Sequence, residues 1–219
     1  VASGLVDEPR VSHLRLTVHL GLALLLFAAL LSAALELAWP RPAAARRGAA
    51  AALAGALVIA VFLQALAGAL MAGTRAGYLY PTFPKMAGEL VPSSLFAVDP
   101  WPASLWRDLA TIHFVHRWSG IAIALMALAG LAAVVLRPAP SALRGAASLV
   151  AVLAATTAAL GVFTVTSGVA IVPAVVHQLL AVALLGAAIL AQHRAVNVER
   201  SALDPRAGRY GETPDQAVG

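Results

Sequence analysis

Residues 112–136, IHFVHRWSGIAIALMALAGLAAVVL, decide the fold. Beyond Arg117 the stretch carries no charge, and its 25 residues wound as an α-helix reach about 37 Å, enough to cross a hydrocarbon core of about 30 Å. A backbone crossing lipid must satisfy its own N–H and C=O groups, so such a run is read as a helix. Similar apolar runs occupy residues 16–39, 49–73, 143–165 and 172–192. The composition agrees: 61% of residues are hydrophobic, 11% are charged, and the mean hydropathy is +0.86, outside the range of water-soluble domains. The chain is therefore expected to be an all-α polytopic membrane protein of about five transmembrane helices, embedded in a lipid bilayer.

The 219 residues include no cysteine, which excludes disulfides, thiolate-bound zinc, iron–sulfur clusters and a cysteine nucleophile, and leaves histidine to supply any metal ligand. A net charge of +5 could suggest nucleic acid. The arginines argue otherwise, since they sit in short segments beside apolar runs: Arg41, Arg46 and Arg47, then Arg137 and Arg144, then Arg194, Arg200, Arg206 and Arg209. These segments share one face, cytoplasmic by the positive-inside rule, with the C-terminus on that side and no nucleic-acid partner. The lead-in, the long loop at 74–111 and the turn at 166–171 are then outside. Single cysteines at Ser93 and Ala45 test this: an impermeant thiol reagent on intact cells should label Ser93→Cys, and labelling of Ala45→Cys alone overturns the topology.

The chain starts at Val1 with no signal-peptide pattern, and an odd number of spans leaves its ends on opposite faces, so a piece of a longer protein is expected. SGLVDEP at 3–9 leads into His19 and an apolar run, while SGVAIVP at 167–173 leads into His177 and another, a trace of two related half-bundles.

His19, His116 and His177 each lie one or two turns inside an outside-to-inside helix, which puts them at nearly the same depth. A polar side chain at that depth needs a partner. For one histidine a plain structural hydrogen bond explains it as well as a function does; for three at matched depth a shared site is the better account. Two neutral imidazoles from neighbouring helices can take both axial positions of a heme iron, and the third and fifth spans can supply them. Arg117 invites an anionic partner such as a heme propionate, or snorkels to the outer interface. His113, one turn before His116, is expected to support the site and not to ligate; His13 and His193 look interfacial. Gln64, inside the second span, must hydrogen-bond within the bundle, most simply as a helix–helix contact. The aromatic and proline-rich 74–111 loop is expected to fold over whatever the helices hold. No nucleotide loop, Ser/His/Asp set or paired catalytic carboxylates occur.

Taken in order, SGLVDEP at 3–9, VSHLRLTVHL at 11–20, QALAGALMAGTRAG at 64–77, FPKM at 83–86, His116-Arg117, LGVFT at 160–164 and His177-Gln178 resemble heme A synthase of cytochrome oxidase assembly, over nearly all of residues 1–195. The resemblance implies two tandem four-helix bundles. Residues 1–40 would then be the lead-in and last helix of the first bundle, 41–196 the whole heme-binding second bundle with its outside loop at 74–111, and 197–219 a cytoplasmic tail. It implies that His116 and His177 ligate a heme b iron with Arg117 beside it. It also implies that His19 is an iron-ligating catalytic histidine of the bundle where heme O, the substrate, is oxidised at a methyl group to the formyl group of heme A through a hydroxylated intermediate.

The implied site is the bacterial cytoplasmic (inner) membrane, and the implied protein partners are heme O synthase, cytochrome oxidase assembly factors or further copies of the chain. Alone, residues 1–219 are expected to be inactive. The sequence departs from many relatives at Pro81 (often Asn) and Thr157 (often Gln), and lacks a loop cysteine pair found in some. The competing readings are a membrane b-type cytochrome that only transfers electrons, and a transporter without a cofactor.

Overall fold

The computed structural model describes residues 12–40 and 48–201, with side chains to position 196. The lead-in at 3–10, Arg41, Arg46 and Arg47, and Arg206 and Arg209 of the tail lie outside the described residues. Five long helices are apolar enough to cross a membrane: α1 His13–Ala38, α2 Ala49–Thr74, α4 Leu109–Val135, α5 Ser141–Thr166 and α6 Ile171–Ser201, with a single turn, α3 Ser104–Arg107, before α4. No strand occurs among the described residues. The protein is a polytopic α-helical membrane protein.

Helix ends follow local chemistry. Asp108 caps α4, its carboxylate accepting from the Ala110 N–H and the Thr111 hydroxyl, so the helix starts at Leu109, three residues before the apolar run suggests. Arg75 ends α2 in the left-handed region at φ 59, its N–H reaching back to the Ala72 and Met71 carbonyls. Pro140 precedes α5 and fixes where it can begin. α6 runs past the expected end at 192, through the start of the expected tail at Asn197, because residues 195–201 contain neither glycine nor proline to stop it.

α2, α4, α5 and α6 close a ring in that order, neighbours running antiparallel, so that α4 faces α6 across the interior and α2 faces α5. α1 lies outside the ring on α2 and α6. At the end carrying segment 75–108, here the loop end, α1 meets α2: His13 and Leu16 pack on Gly73. At the far end it meets α6, with Phe27 and Leu31 against Gly186 and the Trp39 carbonyl accepting from His193 Nε2 at 3.0 Å. Alanines such as Ala127, Ala154 and Ala188 let the backbones approach, and contact between helices takes over from burial from water as the force that holds them. Leu22, Leu26, Ile59, Leu125 and Val152 point outward, as a lipid-facing surface should.

The core has a definite position. Leu57 and Val61, Ile123 and Ala127, Val150 and Ala154, and Leu184 and Leu185 pack together in the far half. Toward the loop end, residues 62–68, 114–122, 158–163 and 171–183 include no buried side chain on any of the four helices. Burial resumes beyond that band at Ala69, at residues 110–113 and at Thr164.

Candidate functional site

His116 of α4 and His177 of α6 occupy that loosely packed band, two turns from Ile123 and Leu184 respectively. They reach toward each other across the ring, with ring centroids 6.3 Å apart and planes at 79°. The helices of the other diagonal hold them in matching ways. His177 Nδ1–H donates to the Thr157 carbonyl at 2.9 Å, and its ring lies on Gly161, where an added Cβ would stand 2.9 Å from Cε1. His116 Nδ1 accepts from Gln64 Nε2 at 3.1 Å, and its ring lies on Gly68, where an added Cβ would stand 3.2 Å from Cε1. Each histidine is therefore held by a group on a neighbouring helix and seated on a glycine one turn further on.

The Gln64 amide is itself pinned. Its Nε2 also donates to the His116 carbonyl at 2.8 Å, and its Oε1 accepts from the Ser119 hydroxyl. Sequence reasoning placed Gln64 only in an unspecified helix contact and passed over Ser119, Gly68 and Gly161. A signal was present: QALAG at 64–68 and TAALG at 157–161 share a polar residue followed by glycine four positions on, one turn on the same face.

With both Nδ1 atoms engaged, Nε2 is the nitrogen through which either ring could take a metal; imidazole ligands ordinarily donate the N–H of the other nitrogen, as His177 does to Thr157. Two imidazoles bonded at about 2 Å on opposite sides of one ion place their ring centres roughly 6 Å apart. The observed spacing and the glycine seats fit a six-coordinate heme. Among the described residues no group of three or more His, Asp or Glu side chains is placed to hold a metal ion.

The other expected residues lie elsewhere. Arg117 turns to the 75–108 segment, donating to the carbonyls of Tyr80 (3.1 Å), Pro84 (3.2 Å) and Lys85 (3.5 Å), with Phe83 5.8 Å beneath the guanidinium. His113 is fully buried; its Nδ1–H donates to the Ala76 carbonyl at 3.0 Å and its Nε2 accepts from Arg117 at 2.8 Å, leaving neither nitrogen for a metal. These two residues fasten the loop over the loop end of the ring. His19 stands away from the histidine pair, exposed on the outer face of α1 in a shallow groove with Leu14, Arg15, Val18 and Leu22. His193, expected at the interface, is instead buried between α6 and the end of α1, since Trp39 turns its carbonyl inward there.

A family model described as cytochrome oxidase assembly protein, COX15-CtaA, matches residues 1–189. The chain is 41% identical over 194 residues to a protein of Rhizorhabdus wittichii named heme A synthase, covering 88% of this chain and 55% of the relative. Heme A synthases of Nitrosospira multiformis (36% over 200 residues, 88% and 55%) and Rhodopseudomonas palustris (38% over 213 residues, 93% and 58%) are similar to it in the same way. The chain thus spans a little over half the length of the curated relatives it matches. No solved structure matches it significantly.

Proposed function

The chain belongs to the COX15-CtaA family of cytochrome oxidase assembly proteins, and from that membership we propose that it is the heme b-bearing part of a heme A synthase, which oxidises a methyl group of heme O to the formyl group of heme A. The observation that carries this reading is the His116–His177 pair, 6.3 Å apart in the loosely packed band of a four-helix ring. When bound there, heme b supplies a one-electron relay that draws reducing equivalents away from the substrate.

The protein's own residues do the positioning. Thr157 and Gln64 fix the ring orientations of His177 and His116, the glycine seats set how far each ring can withdraw, and Arg117 with His113 holds the 75–108 segment across the loop end. His19, facing outward from α1, is suited to a second heme whose other ligand comes from outside this ring, which supports its assignment to the heme O site of a neighbouring bundle. Residues 1–40 then close that bundle, 41–196 form the relay bundle, and the expected setting is the bacterial inner membrane with the C-terminus cytoplasmic.

The test is to express the full-length protein, and residues 1–219 alone, in a host that makes heme O but has no synthase of its own, and to separate the extracted hemes by chromatography. Heme A is expected with the full-length protein and not with residues 1–219, because one helix of the substrate bundle cannot hold a porphyrin in register with the relay. Heme b without heme A from the full-length protein would favour a plain electron carrier; heme A from residues 1–219 would place the whole active site in this stretch.

A further inference from the structure

We propose that Gln64 is the positioning residue of His116, acting with Ser119, and that it leaves the two axial histidines of the proposed heme site unequally held. The inference rests on the heme reading above. His177 is oriented by a backbone carbonyl of α5, an acceptor that calls for Nδ1–H and so leaves a lone pair on Nε2, the form in which imidazole binds a metal. His116 is oriented by a side-chain amide whose N–H points at Nδ1, which places the proton of the neutral ring on Nε2.

To bind a metal through Nε2, His116 must meet the amide the other way round, with Gln64 Oε1 accepting from Nδ1–H. Ser119 makes that reversal workable. Its hydroxyl lies within hydrogen-bonding reach of both Gln64 Oε1 and the Val115 carbonyl, so it can donate to the amide in one orientation, and donate to Val115 while accepting from the amide in the other. The reversal gives up the Gln64 bond to the His116 carbonyl. His177 requires no such rearrangement. The bond on the His116 side is accordingly the one that gives way first, and Gln64 governs it.

Thr157 supplies the contrast. Its hydroxyl is buried and has no hydrogen-bond partner, so the residue acts on His177 through its backbone alone.

The experiment uses the full-length protein with its heme reduced, and carbon monoxide as the probe, since a bis-histidine iron takes it up only when an axial ligand leaves. Gln64→Leu is expected to raise carbon monoxide uptake about 10- to 100-fold, the usual effect of losing a group that orients a metal ligand. Gln64→Glu, which keeps an acceptor for Nδ1–H, should restore slow uptake. Gly130→Ala, at a position where nothing lies within 4 Å of an added Cβ, should match the parent. In a His116→Ala background Gln64→Leu should add nothing, because the ligand through which Gln64 acts is gone.

If Gln64→Leu fails to fold, Ser119→Ala decides in its place, with faster uptake expected. A parent with normal heme b whose uptake is unchanged by both substitutions overturns the inference alone. Full addition of the Gln64→Leu effect in the His116→Ala background also overturns it. A parent with no bis-histidine heme spectrum removes the underlying reading as well.

Discussion

Replacing His177 with alanine should abolish the low-spin spectrum of the proposed heme b site in the full-length protein, and His116→Ala should abolish its six-coordinate character. Both rings face across one interior, and neither His113 nor His193 is placed to substitute for them. His113 has both nitrogens engaged by Ala76 and Arg117, and His193 lies at the opposite end of the ring. His113→Ala should therefore retain the heme spectrum while weakening the attachment of the loop. The measurement is the reduced-minus-oxidised spectrum of purified protein together with heme content per chain. Parental spectra from both His116→Ala and His177→Ala would end the axial assignment.

Gly161→Leu should lose heme nearly as completely as His177→Ala, although glycine contributes no ligand. Even the first carbon of a side chain at 161 would stand 2.9 Å from His177 Cε1, closer than non-bonded carbons tolerate, with Nδ1 in contact at 3.4 Å. The ring must then leave its seat and its bond to the Thr157 carbonyl. Overpacking of this kind costs about 1–3 kcal/mol, and loss of an orienting partner weakens metal binding about 10- to 100-fold. Gly130→Leu is the control, because nothing lies within 4 Å of a Cβ added there. Heme content and thermal stability measured together separate the two effects. Equal heme content in both leucine variants would show that the Gly161 seat is not needed.

What was legible in the sequence follows from which forces act on side chains and which on the backbone. Five spans could be read because a hydrocarbon core imposes a minimum apolar length that few other constraints imitate. The matched depth of His116 and His177 could be read because helical rise is constant. The partners of Arg117 could not, since it binds carbonyls, and every residue carries one. For the same reason the sequence did not reveal the Thr157 carbonyl behind His177 or the Trp39 carbonyl behind His193. The start of α4 was misplaced by three residues because an apolar count does not register a capping aspartate. His19 was expected beside His116 and His177 from its depth, yet depth says nothing about azimuth, and the structure leaves it exposed on α1.

The interlocked core confined to the far half divides the ring into two zones of different local stability. Amides around Leu57, Ile123, Val150 and Leu185 open only when the whole ring comes apart, whereas those at 114–122 and 171–183 can open through limited splaying of helix ends. Order of assembly follows from this. The membrane-inserted helices can associate and stay associated through their far halves, and a flat macrocycle can enter afterwards from the loop end without dismantling them. The polar fastening of Arg117 to the Tyr80, Pro84 and Lys85 carbonyls, which is not part of that core, is the piece that would yield to admit a heme at the proposed site.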